Sequence, residues 1–427
     1  MWRFVTLIAV IALALSAIPG LAADNEAQGW QVNAEELAFD ADEAHPSTRR
    51  LWGEHEGAGY RIEVPPDWNG TLVLYARPLR ASDRADLSVI NPPLRGALLD
   101  QGIAWAASSF HANGYHVTAG VEDTRALLDV FSQRIRAPET ALVIGHDLGG
   151  QVTIASMEQY PEDYSGGLAF CAPMDGRDHL NYLLDINLIA HALTDTETRF
   201  PEPALQSAGM DEVVQRLGPG FPTTLHPAGD DFRAALRALS GGNTPLFDAA
   251  FDAWGLRVLE LGAVDGALGG LLPGNLYSNA ERHYQVDGGA AEQRLNETIL
   301  RVPPDPVLER AGIRPLPELQ GTLGAPLLLV SALGDLYAPP SLHQQYAQRV
   351  DTAGQSALLA NWFVRDVGHC TFSDAETGAA LDALLAWVED GNRPQSVDLT
   401  DPGALEQDDV GCDVTNPPRA GLPACED

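Results

Sequence analysis

The sequence predicts an α/β protein: a mostly parallel sheet flanked by helices, with a mainly helical insertion after the sixth strand. Three observations predict it. Strand-like and helix-like runs alternate from about residue 59 to 173 and again from 325 to 388, the rhythm of parallel strands joined by crossover helices. Between these stretches, residues 175 to about 321 are rich in Leu, Ala, Gly and Pro and lose that rhythm. Finally, the apolar run Ala141-Leu142-Val143-Ile144 passes through Gly145-His146-Asp147-Leu148-Gly149-Gly150 into a helix-compatible segment, 151–160.

Residues 60–64 and 71–76 read as strands, split by the turn residues Pro65-Pro66-Asp67-Trp68-Asn69-Gly70. Residues 92–101 suit a helix and 103–109 a buried strand. Apolar residues at helical spacing mark 123–135, and 141–145 and 167–171 are the next strands. Within the insertion, 231–239 and 245–261 have helical character. The alternation resumes with a strand at 325–331, a helix at 341–350, a strand at 357–364 and a helix at 375–388. The expected organisation is a leader at 1–22, a core in two parts at 23–174 and 322–392, a helical cap at 175–321, and an acidic tail at 393–427.

The leader has the form of a secretory signal. Arg3 supplies a positive charge, residues 4–18 are mostly apolar, and Pro19-Gly20-Leu21-Ala22 ends in small residues. It is too short for a membrane anchor, and no second run reaches spanning length. A soluble, exported chain is expected, secreted or periplasmic. The formal charge of −33, from 26 basic and 59 acidic residues, argues against nucleic acid and anionic membranes as partners. It says little about substrate, because an acidic surface also serves solubility in a salty medium. Oligomeric state is not legible.

Four cysteines in an exported chain read as two disulfides, with three possible connectivities. Cys171 with Cys370 and Cys412 with Cys425 is the expected pairing. The first bridge would fasten the loop carrying His369 to the sheet, and the second would order the tail. There is no C-x-x-C, His-rich cluster or H-E-x-x-H, so no metal site is expected, and no cofactor.

The turn at Gly145–Gly150 has the form of a nucleophile elbow with aspartate at its centre. Asp335 ends the run Leu327-Leu328-Leu329-Val330-Ser331 within Gly334-Asp335, and His369 follows the last strand in Val367-Gly368-His369-Cys370. Nucleophile, acid and histidine thus occur in the chain order of one fold, at strand ends on one sheet edge.

On these residues the chain resembles the α/β-hydrolase superfamily over most of its length, and in particular secreted bacterial esterase-type members with a G-H-S-x-G-G elbow. Further matching stretches are Trp68-Asn69-Gly70-Thr71-Leu72-Val73, Ala106-Ala107-Ser108-Ser109, Gly120-Val121-Glu122-Asp123-Thr124-Arg125 and Gly368-His369-Cys370. The resemblance implies Asp147 as nucleophile, Asp335 as acid and His369 as base, with Asp175 the alternative acid. It implies an oxyanion hole from the N–H groups of Leu148 and of Leu79 or Arg77.

Two departures stand out. Asp147 replaces serine, as is similar to epoxide hydrolases and haloalkane dehalogenases. Arg77-Pro78 replaces the family's His-Gly, and Pro78 has no N–H to donate.

A carboxylate attacking an ester would give a high-energy anhydride, whereas attack at a saturated carbon bearing an epoxide oxygen or halide gives a plain ester. His369 would then activate water to hydrolyse it. Three readings follow for a small-molecule substrate: an alkyl-enzyme hydrolase, a carboxylic-ester hydrolase, or a non-catalytic binding protein in which Asp147 merely caps a helix. An epoxide opener needs an acid, for which Tyr182, Tyr277 and Tyr284 are candidates beside an apolar Trp254. His191, His226 and His283 read as surface or packing residues.

Overall fold

The computed structural model describes residues 29–198, 209–263, 277–286, 288–303 and 316–425. The expected leader lies outside the described residues. Eight strands form one sheet: β1 Arg49–His55, β2 Ala58–Val64, β3 Thr71–Ala76, β4 Ala104–Ser108, β5 Thr140–His146, β6 Gly166–Phe170, β7 Leu327–Ala332 and β8 Leu359–Val364. Their order is β1-β2-β4-β3-β5-β6-β7-β8. Only β2 runs antiparallel to its neighbours, and every other pair is parallel. This is the strand order of the α/β-hydrolase fold.

The strands are nearly continuous apolar runs because both faces are covered. Leu72 and Leu74 of β3 point into one apolar cluster, while Val73 and Tyr75 point into another. The first is closed by the helices α2 Val117–Arg134, α3 Leu148–Gln159 and α9 Pro340–Thr352. The second is closed by α1 Arg95–Asp100 and α10 Asp374–Asp390. Period-2 alternation therefore sorts one strand's side chains between two cores.

Between β6 and β7 lie α4 Gly176–Thr194, α5 Met210–Leu217, α6 Pro227–Ser240, α7 Phe247–Ala263 and α8 Ala290–Thr298. They share their own apolar cluster, with Ile186, Phe232, Phe251 and Val258 almost fully buried. Asp185 of α4 is buried, and it accepts hydrogen bonds from the Tyr277 hydroxyl at 2.6 Å, the Tyr284 hydroxyl at 2.5 Å and the Arg282 guanidinium. A carboxylate can sit there because three donors replace its water. The Asp185 cluster fastens the segment after α7 onto α4.

Two regions depart from expectation. Strand β1 was not predicted: it is half-exposed at the sheet edge, with charged residues on its open side, so its sequence carries no strong apolar pattern. The tail is held by more than its disulfide. Leu399, Leu405 and Val410 join the main core. The Val397 N–H donates to the Asn361 carbonyl of β8, and the buried Arg365 guanidinium donates to the carbonyls of Asp408, Val410 and Pro423.

Both expected disulfides are present, Cys171–Cys370 and Cys412–Cys425. Among the described residues, no helix is long and apolar enough to cross a membrane.

Candidate functional site

The turn from β5 to α3 holds Asp147 at φ 55°, ψ −123°, a region L-residues rarely occupy. Its neighbours explain why the turn survives. A Cβ on Gly145 would lie 2.0 Å from the Gly149 carbonyl oxygen, and a Cβ on Gly149 would lie 2.0 Å from that of Ala76. Only glycine permits the helix to start so close to β5 and β3. Although Asp147 stands at the N-cap position of α3, its side chain makes no capping hydrogen bond. The helix-cap reading of this residue is thereby corrected: the carboxylate turns elsewhere.

It turns toward Leu79 and His369. The Leu79 N–H donates to Asp147 Oδ2 at 2.8 Å, while Asp147 Oδ1 lies 3.4 Å from His369 Nε2. His369 Nδ1 is 2.7 Å from Asp335 Oδ2, and Asp335 Oδ1 accepts the N–H groups of Tyr337 and Ala338. Asp335 is fully buried, and Asp147 and His369 keep about a sixth of their side-chain surface. The three residues expected from the sequence are thus brought together, with Leu79 beside them.

Asp175, the alternative acid, is not among them. It caps α4 through the Arg177 N–H, accepts from the Leu319 N–H and pairs with Arg349. Its carboxylate is spent on tying α4 to α9.

Arg77 accounts for the altered loop after β3. Its buried guanidinium donates to the carbonyls of Ser109 (2.7 Å), Pro78 (3.0 Å) and Ala112 (3.1 Å) and to Asn113 Oδ1 (3.1 Å), and it lies over the Phe110 ring at 4.5 Å. Burial, helped by Arg80, pulls its pKa down to about 9, so it remains a cation at neutral pH. The loop is clamped to the segment after β4, and Leu79 rather than Pro78 presents the N–H.

Burial by itself would raise the pKa of Asp147. The hydrogen bond and charge of His369, with the N–H groups of Leu79 and Leu148, outweigh it and hold the group below the ordinary aspartate range. Burial likewise opposes a charged His369. The charge of Asp335, then the hydrogen bonds to Asp147 and Asp335, push it up to about 10. The resting site is a carboxylate–imidazolium–carboxylate array.

A raised folded-state pKa stabilises the fold fully below the unfolded value near 6.5, and that stabilisation is lost as pH climbs to about 10. We therefore expect the melting temperature to fall between pH 6.5 and 10, and to fall less steeply in His369→Gln. Thermal unfolding of both proteins across that range checks this. Parallel curves would show that His369 is not charged in the folded state.

The hydroxyls of the candidate tyrosines are engaged by groups other than the three residues of this array. Tyr182 donates to the Leu336 carbonyl at 2.8 Å, and Tyr277 and Tyr284 serve Asp185. Trp254 packs in the insertion's core. His191 is buried beside Thr196, while His226 and His283 are exposed.

Sequence reasoning missed Tyr337, His179 and Tyr115, whose rings follow one another outward from His369. The Tyr337 ring lies 4.7 Å from that of His369, and its pKa is raised by burial and by the charges of Asp147 and Asp335. His179 sits 4.7 Å from Tyr337 and 6.4 Å from Tyr115, centroid to centroid. Its Nε2 is 2.9 Å from the Tyr337 carbonyl, and burial brings its pKa to about 4. Only the position of Tyr337, two residues past Asp335, was a usable signal.

No family model matches the sequence. A curated relative, o-phthalyl amidase of Xanthobacter agilis, is 23% identical over 404 residues, covering 80% of this chain and 87% of its own. Among solved structures, the chain is similar to feruloyl esterase B from Aspergillus oryzae, with TM-score 0.44, 12% identity and 84% and 86% of the two chains covered. Tannin acyl hydrolase from Aspergillus niger has TM-score 0.42, 13% identity and coverages of 81% and 78%.

Proposed function

We propose that this protein is a hydrolase of small organic molecules that works through a covalent ester on Asp147. One observation carries the reading. The N–H of Leu79 is already engaged by Asp147's own Oδ2 at 2.8 Å, leaving Oδ1 beside His369. A donor filled by the nucleophile's second oxygen suits the hydrolysis of an aspartyl ester better than the binding of a substrate carbonyl.

In the first step Oδ1 attacks a saturated carbon and the bond from that carbon to an epoxide oxygen or halide breaks. Tyr337, kept protonated by burial and by its two carboxylate neighbours, supplies the proton that an epoxide oxygen needs. Esterification removes the charge of Asp147, and with it two of the influences that keep His369 protonated. The imidazolium passes its Nε2 proton to the Tyr337 phenolate, or to solvent where a halide has left, and the neutral imidazole then takes a proton from the water that attacks Asp147 Cγ. Charge develops on Oδ2, facing the N–H group of Leu79, and collapse releases the alcohol as His369 returns the proton to it.

The insertion at 175–321 is read as a cap that shapes the pocket over Asp147. Two disulfides support an exported protein.

A second reading rests on the amidase relative: water held between Asp147 and His369 attacks an amide or ester carbonyl directly. A single turnover in ¹⁸O-water separates the two. The covalent route puts the label into Asp147 and leaves the product oxygen unlabelled. Label in the product with none in Asp147 would overturn that route in favour of direct attack.

A further inference from the structure

The Cys171–Cys370 bridge sits against the catalytic array, and the atoms around it have the spacing of a metal site. Cys370 Sγ lies 3.5 Å from His369 Nε2. The ligand atoms of Cys171, Cys370 and His369 all fall within 4.8 Å of one another. Asp147 Oδ1 is 3.4 Å from the same Nε2. Zinc bonds of about 2.3 Å to sulfur and about 2.0 Å to nitrogen or oxygen place neighbouring tetrahedral ligands roughly 3.3–3.8 Å apart.

His369 already has the outer partner that metal-binding histidines use. Its Nδ1 is bonded to the buried carboxylate of Asp335, which turns Nε2 toward the sulfurs, ready to ligate once its proton leaves. The two cysteines lie 199 positions apart in the chain, so no spacing motif announces the cluster.

We propose that reduction of Cys171–Cys370 uncovers a zinc site formed by Cys171, Cys370 and His369 beside Asp147, and that the disulfide keeps metal off the reactive residues. A water-soluble trialkylphosphine performs the reduction in the test. The disulfide gains two electrons and two protons to give two thiols, phosphorus is oxidised to the phosphine oxide, and water supplies the oxygen and the protons. Zinc binding then releases both thiol protons and the Nε2 proton of the imidazolium, leaving two thiolates and one neutral imidazole around the ion, with water in the fourth position. While the sulfurs are bonded to each other they offer no thiolate, and the site does not exist.

The experiment uses the full chain carrying Cys412→Ser and Cys425→Ser, so that only one disulfide can be reduced. Zn²⁺ binding is measured by chelator competition before and after phosphine treatment, and Co²⁺ is added in parallel to read thiolate coordination from its visible spectrum. The reduced protein should bind one further equivalent of zinc, roughly 100-fold or more tighter than the oxidised protein. Asp335→Asn should weaken that site by about 10–100-fold through loss of the outer partner. The Co²⁺–thiolate absorption should vanish in Cys370→Ser.

Equal zinc uptake by oxidised and reduced protein overturns the proposal. So does a Co²⁺ spectrum unchanged by Cys370→Ser, or a reduced chain that loses its near-ultraviolet circular dichroism and with it the site. Inhibition by bound zinc rests additionally on Asp147 and His369 being catalytic. Tight binding without inhibition would count against that reading of the site and leave the metal site standing.

Discussion

His369→Gln accumulates an ester on Asp147 when incubated with an epoxide or haloalkane that the wild-type protein consumes. The reason lies in the separation of the two steps. Attack by Oδ1 needs an ionised Asp147, and the N–H groups of Leu79 and Leu148 still favour that form in the variant, against burial and with the larger influence of His369 removed. Breakdown needs a base for water, and His369 is the imidazole beside Asp147, oriented by Asp335 at 2.7 Å. Glutamine can hydrogen-bond there but cannot take the proton. Turnover should fall by about 10²–10⁴-fold, with the mass of one substrate-derived group retained on the intact protein and mapped to the peptide containing Asp147. If no substrate of the wild type leaves an adduct on the variant, the covalent route is wrong.

Asp147→Ser converts the site toward ester hydrolysis. The substitution removes the carboxylate oxygen that engages Leu79 N–H, so a substrate carbonyl can occupy that position. It also sets a hydroxyl near His369, whose partner Asp335 is unchanged. Hydrolysis of an activated ester such as p-nitrophenyl acetate should rise about 10²–10³-fold over the wild type, the usual worth of an oxyanion-hole donor. Activity on the alkyl substrate should drop to background. A folded variant with no gain on any activated ester would show that Arg77 has clamped the Leu79 loop in a geometry that fits only the aspartyl ester.

The disulfide and the proposed triad address one physical problem. The β8–α10 loop that carries His369 is partly exposed, and an imidazole on a free loop would lose its alignment with Asp147. Cys370 is adjacent in sequence to His369 and is joined to Cys171 at the end of β6. Cys171, Asp147 and Cys370 all hold positive φ values, so the chain after β5, β6 and β8 sits in backbone conformations that packing must enforce. Closing a segment of 199 residues with one bond limits the unfolded chain as well.

What the sequence determined by itself is whatever depends on local steric rules and chain order. The glycines at 145, 149 and 150 dictate a turn so tight that only one kind of strand-to-helix junction fits it, and the alternating apolar runs dictate a parallel sheet with both faces buried. Given that sheet, the ends of β5, β7 and β8 must converge, which is why Asp147, Asp335 and His369 were legible as a set. The disulfide beside His369 was legible for the same reason.

Tertiary structure decided the matters that rest on contacts between distant segments. Asp175 and Asp335 both follow strands and look equivalent in sequence, but Arg349 of α9 and the Leu319 N–H claim Asp175, leaving Asp335 for His369. Which N–H faces Asp147 could not be read until Arg77 was seen to reach the carbonyls after β4, with the Leu79 N–H turned toward Asp147. The insertion's tyrosines were available until the buried charge of Asp185 and the Leu336 carbonyl engaged their hydroxyls. In each case a buried polar group took the nearest partner able to replace its lost water, and which partner is nearest is a property of the folded chain alone.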